Sequence, residues 1–294
     1  MTESVEVLVL GAGQGGAPLA ADFARAGRRT VLVEQAHPGG TCVNVGCTPT
    51  KTLVAGARVA WLAGRAGVYG LDAGPVRVDP VAVRARTRAI VTSFRAGSAR
   101  ALARAGVELV TGHGHFVAPR TVAVTSADGA VVRTLAAELV VVSTGLRPAR
   151  PPIEGLDDVP ALDSSGMLEL DVVPEHLVVL GAGYVGLEFA QLFRRLGSAV
   201  TVVDPGERLA PREDADVAAC LAELLREDGV ALCLGREVRR VMPSAPGPGV
   251  ALELHVRATG GAEHLAGSHL LVAVGRRPNA DHIGAEAAGI ARDA

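Results

Sequence analysis

Cys42 and Cys47, with four residues between them, sit in the stretch Gly39-Gly-Thr-Cys-Val-Asn-Val-Gly-Cys-Thr-Pro-Thr-Lys51. Lys51 is the one lysine of a chain that carries 28 arginines. An ammonium is a compact point charge that fits where a planar guanidinium fork does not. A close cysteine pair followed by such a lysine suggests redox chemistry, with the lysine poised at an electron acceptor. In an ideal helix the two cysteines would be separated by a rise of ~7.5 Å, beyond the ~7 Å that a disulfide spans between Cα atoms. A bridge therefore needs a distorted turn, which Gly46 permits. Thr48-Pro49 reads as an N-cap followed by proline at the first helical position. The helix it opens carries Lys51, and Cys47 stands just ahead of its N-terminus. Dipole and unpaired N–H groups there favour a thiolate. Cys47 is thus the better candidate for the thiolate and Cys42 for the exchanging sulfur. Two other readings stay open: a disulfide that only staples the loop, and a zinc site. Zinc needs four ligands, and only His37 is near, so no metal is expected. Cys220 and Cys233 fall in helix-like and strand-like runs and read as core packing.

The elements that must position this stretch occur twice. Val5–Leu10 is a strand-like run ending at Gly11-x-Gly13-x-x-Gly16, followed by a helix to about Ala26 and a run Thr30–Val33 that ends at Glu34. Moved by 170 residues, His176–Leu180 ends at Gly181-x-Gly183-x-x-Gly186, a helix follows to about Arg195, and Ala199–Val203 ends at Asp204. In both copies the acid lies 23 residues after the first glycine. One glycine triplet is a weak signal; strand, helix and acid at this spacing make a dinucleotide-binding unit. The glycines allow a tight turn and close approach to a pyrophosphate, the helix N-terminus offers donors, and the acid accepts from a ribose diol.

Further along, Leu139–Ser143 leads into Thr144-Gly145 and Leu270–Val274 leads into Gly275, each reading as the last strand of a nucleotide domain. Pro148, Pro151 and Pro152 read as a linker. The expected division is a first domain over 1–150, a second over 151–275 and a return segment over 276–294. A helix over Val81–Ala105 and a β-meander over Val107–Leu135 fill the first domain, and Ser244–Gly249 reads as a turn. The composition is 49% hydrophobic and 20% charged, with a net charge of -2. That balance offers no electrostatic case for nucleic acid or an anionic membrane, and no run reaches the ~20 apolar residues of a membrane span. Val5–Leu10 leads into a glycine loop, not a targeting segment, so a cytoplasmic protein is expected.

The motif Gly-Gly-Thr-Cys-Val-Asn-Val-Gly-Cys-Thr-Pro-Thr-Lys resembles the redox-active signature of the class I pyridine nucleotide-disulfide oxidoreductases, which include glutathione reductase, dihydrolipoamide dehydrogenase and mercuric reductase. The likeness runs from the first glycine loop to Gly-Arg-Arg-Pro-Asn279. It implies an α/β chain of two tandem Rossmann-like three-layer domains, the first binding FAD and the second NAD(P)H. By that resemblance Gly11, Gly13, Gly16 and Glu34 hold the adenosine half of FAD, and Gly40, Thr41, Lys51, Gly114, Thr144 and Gly145 make further FAD contacts. Cys47 faces the flavin and Cys42 meets the substrate. Gly181, Gly183, Gly186, Asp204 and Gly275 belong to the nicotinamide site, and Glu188 pairs with Lys51 beside the flavin. Asp204 favours NADH, since an acid there repels a 2′-phosphate; Arg208, close in sequence, tempers that.

The resemblance also implies a small-molecule disulfide or Hg(II)-type substrate and a homodimer. Members continue past this motif into a segment that holds the flavin ribitol and then a dimerisation domain with a His–Glu pair. The sequence stops sixteen residues after Pro278, so the expectation is a chain without that domain, monomeric or aggregation-prone, weak in flavin binding and low in disulfide reductase activity. The alternatives are a diaphorase or transhydrogenase-type flavoprotein whose cysteines do not turn over, and a nucleotide-binding fragment.

Overall fold

The computed structural model describes residues 1–244 and 249–292. The chain forms two compact units. The first comprises Met1–Pro49, Arg88–Arg147 and the segment from Arg277; the second comprises Thr50–Thr87 and Pro148–Arg276. Residues 50–87, placed with the first domain in the sequence reading, group with the second unit.

In order along the first half of the chain, the elements are β1 (Thr2–Leu10), α1 (Gly16–Arg25), β2 (Thr30–Glu34), α2 (Gly40–Val45), α3 (Cys47–Gly64, in the second unit from Thr50 on), α4 (Pro80–Arg104, in the first unit from Arg88 on), β3 (Glu108–Thr111), β4 (His113–Ala118), β5 (Thr121–Thr125) and β6 (Val131–Val142). The sheet order is β3-β2-β1-β6-β5-β4. β1 is parallel to β2 and β6, and β2 to β3. Such a strand is covered on both faces and reads as a continuous apolar run. Val7 and Val9 pack with Ala20 and Leu102 on one side. Leu8 and Leu10 pack with Phe116, Val122 and Ile283 on the other.

The expected meander over Val107–Leu135 is only partly right. β3 is parallel to β2, and only β4, β5 and β6 run antiparallel. The two runs ending at Leu135 and starting at Leu139 are one strand. β6 is long because its first half pairs with β5 and the stretch from Thr134 onward with β1.

The second unit repeats the plan. β7 (Leu146–Pro148) leads in, followed by β8 (Ala161–Leu162), α5 (Ser164–Met167), β9 (His176–Leu180), α6 (Tyr184–Leu196), β10 (Ala199–Asp204), α7 (Ala215–Glu227) and β11 (Ala231–Leu234). Then come β12 (Arg236–Pro243), β13 (Val250–Val256), β14 (Ala262–Gly267), β15 (His269–Val272) and β16 (Arg276–Pro278). The parallel sheet has the order β11-β10-β9-β15-β8, and β12-β13-β14 is an antiparallel meander. Val178, Leu180, Leu270 and Val272 of the parallel sheet share a core with Val241, Leu252 and Leu254 of the meander. β7 pairs with β16 as a ribbon. The expected turn at Ser244–Gly249 falls on 245–248, outside the described residues.

Cys220 is exposed rather than core. Helix α7 buries Ala218, Ala222 and Leu225, spaced three and four apart, and Cys220 lies off that face. Cys233 is partly buried against the meander core, and burial pushes its thiol pKa up.

Candidate functional site

The two glycine turns have the same geometry. Gly11 at φ 101° and Gly181 at φ 104° occupy the left-handed region that only glycine enters cheaply. Gly11 N–H donates to Val33 O at 2.8 Å and Gly181 N–H to Val203 O at 2.9 Å. A Cβ on Gly16 would lie 2.0 Å from Gly11 O, and one on Gly186 would lie 2.1 Å from Gly181 O. The third glycine therefore lets each helix start directly against its own turn. No side chain caps α1 or α6, and neither has an acid in its first turn. Their first N–H groups are thus offered to an anion.

The acids are held alike. Glu34 accepts from Ala12 N at 2.8 Å and Ala36 N at 2.9 Å. Asp204 accepts from Ala182 N at 2.8 Å and Gly206 N at 2.7 Å. Each oxygen keeps a lone pair for a ribose hydroxyl. Narrow turn, uncapped helix and anchored acid fit the adenosine end of a dinucleotide in each unit. Arg208 turns its guanidinium to Pro211 O at 3.2 Å.

In the first unit the glycine turn is joined to the cysteine stretch. Gly39 N–H donates to Ala12 O at 2.8 Å. A Cβ on Gly40 would lie 2.5 Å from Gly13 Cα. The second unit has a counterpart that the sequence reading did not contain: Ala210 N–H donates to Ala182 O at 2.8 Å, with Ala210 at φ 44°.

Helix α3 begins at Cys47 itself, so Thr48 is not its N-cap and Pro49 is not its first residue. Pro49 still lies in the first turn, where its missing N–H is not needed. Gly46 breaks the chain between α2 and α3 at φ -137°, ψ -114°. A Cβ there would meet Thr41 O at 2.8 Å and Cys42 Cα at 3.4 Å. The break folds the residue before Cys47 back onto Cys42. Cys42 is partly buried and Cys47 exposed. Gly46→Ala is expected to destabilise the first unit by about 1–3 kcal/mol through overpacking and to slow closure of a Cys42–Cys47 bridge. Urea denaturation and the rate of thiol loss under a mild oxidant test this; an unchanged rate would show that the close approach is dispensable.

Other first-unit residues fall as follows. Gly114 lies in β4, with no room for a Cβ against Leu10, Val33 and Val122. Thr144 O accepts from Asn279 Nδ2 at 2.9 Å and Gly145 O from Asn279 N at 3.0 Å. Arg147 grips Asp281 with both terminal nitrogens and holds its carboxyl below the usual range. Asn279 belongs to a motif noted in the sequence but given no role there.

In the second unit Lys51 Nζ donates to Glu188 Oε1. Both side chains are over a third exposed, and such a pair contributes about 1 kcal/mol at most. Packing of α3 and α6 must hold it, and one residue does much of this. Asp228, the C-cap of α7, has a side chain only 6% exposed. It accepts from Trp61 Nε1 at 3.1 Å, Gln191 Nε2 at 2.8 Å and Arg195 Nε at 2.9 Å. Arg65 and Arg195 lie over Trp61 at 4.6 and 4.8 Å from its ring centre. Trp61 shares α3 with Lys51, and Gln191 shares α6 with Glu188. Sequence reasoning missed this hub; the lone tryptophan was its only signal. Tyr184 opens α6 and donates to Glu213, which raises the phenol's pKa.

Gly275 stands at φ 138°, three residues past the end of β15 and directly ahead of β16. Among the described residues no group of three or more His, Cys, Asp or Glu side chains is placed to hold a metal ion, and no helix is long and apolar enough to cross a membrane.

Tandem Rossmann-type units, one carrying a cysteine pair, define a dinucleotide-dependent redox protein class. The sequence model of the pyridine nucleotide-disulphide oxidoreductases matches residues 5–294, and the chain belongs to that family. It is 36% identical to dihydrolipoyl dehydrogenase 3 of Pseudomonas aeruginosa, over 100% of this chain and 62% of that protein. It is 36% identical to the mercuric reductase of Streptomyces lividans, over 97% of this chain and 59% of that one. Among solved structures, the Cu(II) complex of the HOCl-induced flavoprotein disulfide reductase RclA from Escherichia coli superposes with a TM-score of 0.85 at 32% identity, covering 100% of this chain and 61% of that one. The chain thus spans about three fifths of the length of these relatives.

Proposed function

We propose that the protein passes electrons from NADH through bound FAD to the Cys42–Cys47 pair and on to a small disulfide or a thiophilic metal ion. The observation that carries this is the repeated anchored acid and glycine turn, joined in the first unit by Gly39–Gly40 to the cysteine stretch. In this reading Gly11, Gly13, Gly16, Glu34, Gly40, Thr41, Thr144 and Gly145 hold FAD, while Gly181, Gly183, Gly186, Asp204 and Gly275 hold the nicotinamide nucleotide. FAD supplies a carrier that takes a hydride and releases an electron pair. The chain's own residues do the rest. Glu34 and Asp204 orient riboses, and the N-termini of α1 and α6 hold pyrophosphates. Lys51, steadied by Glu188, places a positive charge where negative charge develops. The Cys42–Cys47 disulfide takes up the electron pair, its S–S bond breaking to give two reduced sulfurs; Cys47 faces the cofactor, while Cys42 attacks a disulfide acceptor by thiol exchange or ligates a metal ion.

Cofactor choice tests the second half of this assignment. Asp204→Ala is expected to weaken NADH binding by ~1–3 kcal/mol, the scale of a buried hydroxyl left without its partner. NADPH should lose less, because the same change removes a repulsion. Titration calorimetry with each nucleotide decides it; equal losses would mean that Asp204 does not touch the ribose.

A further inference from the structure

We propose that Asn44 and Arg95 are positioning residues for the Cys42–Cys47 pair, a proposal that rests on the redox reading above. Asn44 lies between the two cysteines, near the end of α2. Its Nδ2 donates to Gly40 O at 2.8 Å, His37 O at 3.2 Å and Pro38 O at 3.3 Å. Its Oδ1 accepts from Arg95 Nε, on α4. The amide has only one workable orientation. Flipped, its oxygen would face three carbonyls and its NH2 would face a guanidinium, which cannot accept. Arg95 therefore fixes the polarity of the whole clip.

The clip matters because α2 cannot hold itself. A helix of six residues is unstable alone, and Val43 is its one buried residue. The loop before it is already fastened: Gly39 N–H to Ala12 O, and Gln14 Nε2 to Gly39 O at 3.3 Å. Asn44 ties the end of α2 back to that fastened loop, and so sets where Cys42 stands against Gly46 and Cys47. With the clip cut, the two sulfurs meet less often.

The measurement is the equilibrium between the two thiols and glutathione disulfide. Cys42 and Cys47 each lose one electron, the new S–S bond joins them, and the glutathione S–S bond breaks to give two glutathione thiols that carry off both protons. The full chain is equilibrated in glutathione buffers, quenched with acid, alkylated, and the peptide bearing both cysteines is weighed by mass spectrometry. Asn44→Ala and Arg95→Met are expected to lower the equilibrium constant about tenfold, the scale of one charge-assisted hydrogen bond. Arg95→Lys, which keeps a charged donor, should recover most of it. Arg95→Met leaves α2 and its buried Val43 untouched, so a folded variant is available for the comparison. A purely structural clip would lower the urea midpoint and leave the constant at the wild-type value; that result overturns the inference. If the wild-type chain forms no internal disulfide, the redox reading itself falls and takes the inference with it.

Discussion

Serine at Cys47 is expected to leave the chain folded and to lower NADH-dependent thiol release by ~10³-fold or more, the scale seen when a nucleophile is removed. The fold should survive because Cys47 is exposed at the start of α3 and Oγ replaces Sγ with little change of shape. The chemistry should not survive, because a hydroxyl at neutral pH supplies no thiolate. Cys42→Ser should be equally inactive with a different signature. Loaded with FAD, it should show a long-wavelength absorbance without reductant, since Cys47 then has no sulfur to bridge to and stays reduced; Cys47→Ser should never show it. The opposite pattern would exchange the roles of the two sulfurs, and turnover by both variants would remove the pair from the reaction.

Asp228→Ala should cost about 3 kcal/mol of stability, the range for breaking a buried charge pair by deleting one partner. The loss is large because three donors converge on this one side chain, and because Arg195, 20% exposed, would keep its charge with no anion beside it. Against a whole-domain stability of ~5–15 kcal/mol, that is enough to melt the second unit at modest temperature. Asp228→Asn keeps an acceptor for the Trp61 indole and should cost less. Trp61 is the one tryptophan of the chain, so urea denaturation followed by its emission, with circular dichroism as a check, reads the unit directly. A loss under about 1 kcal/mol, the value of an exposed pair, would mean that the hub does not hold α3 to α6.

The legible parts of this protein were those written in local spacing. The glycine turns, their strands and the two acids could be placed because a parallel strand, a tight turn and a helix each leave a short-range mark. Boundaries such as Thr30–Glu34 and His176–Leu180 fell within a residue or two of the reading. The Lys51–Glu188 contact was reachable only through family resemblance, because 136 intervening residues leave no periodic trace. Asp228, Asn44 and Arg95 were not legible at all. Each acts through partners brought together by packing, and a lone Asp, Asn or Arg has the same appearance on any helix surface. Helix α3 was misread at its start because Thr-Pro is a good opening signal on its own, and the break at Gly46 acts two residues before Thr48.

The alternation of the chain between the units bears on how it is made. The first unit owns residue 1, yet its core includes Ile283 and Ala285. During synthesis, β1 must wait for β6, and the face bearing Leu8 and Leu10 is covered only in part, by Phe116, Val122, Val124 and Leu135, until Ile283 and Ala285 emerge. By then every residue of the second unit has left the ribosome. The first unit therefore begins before the second and is completed after it, and its half-covered face is what a chaperone has to shield in the interval.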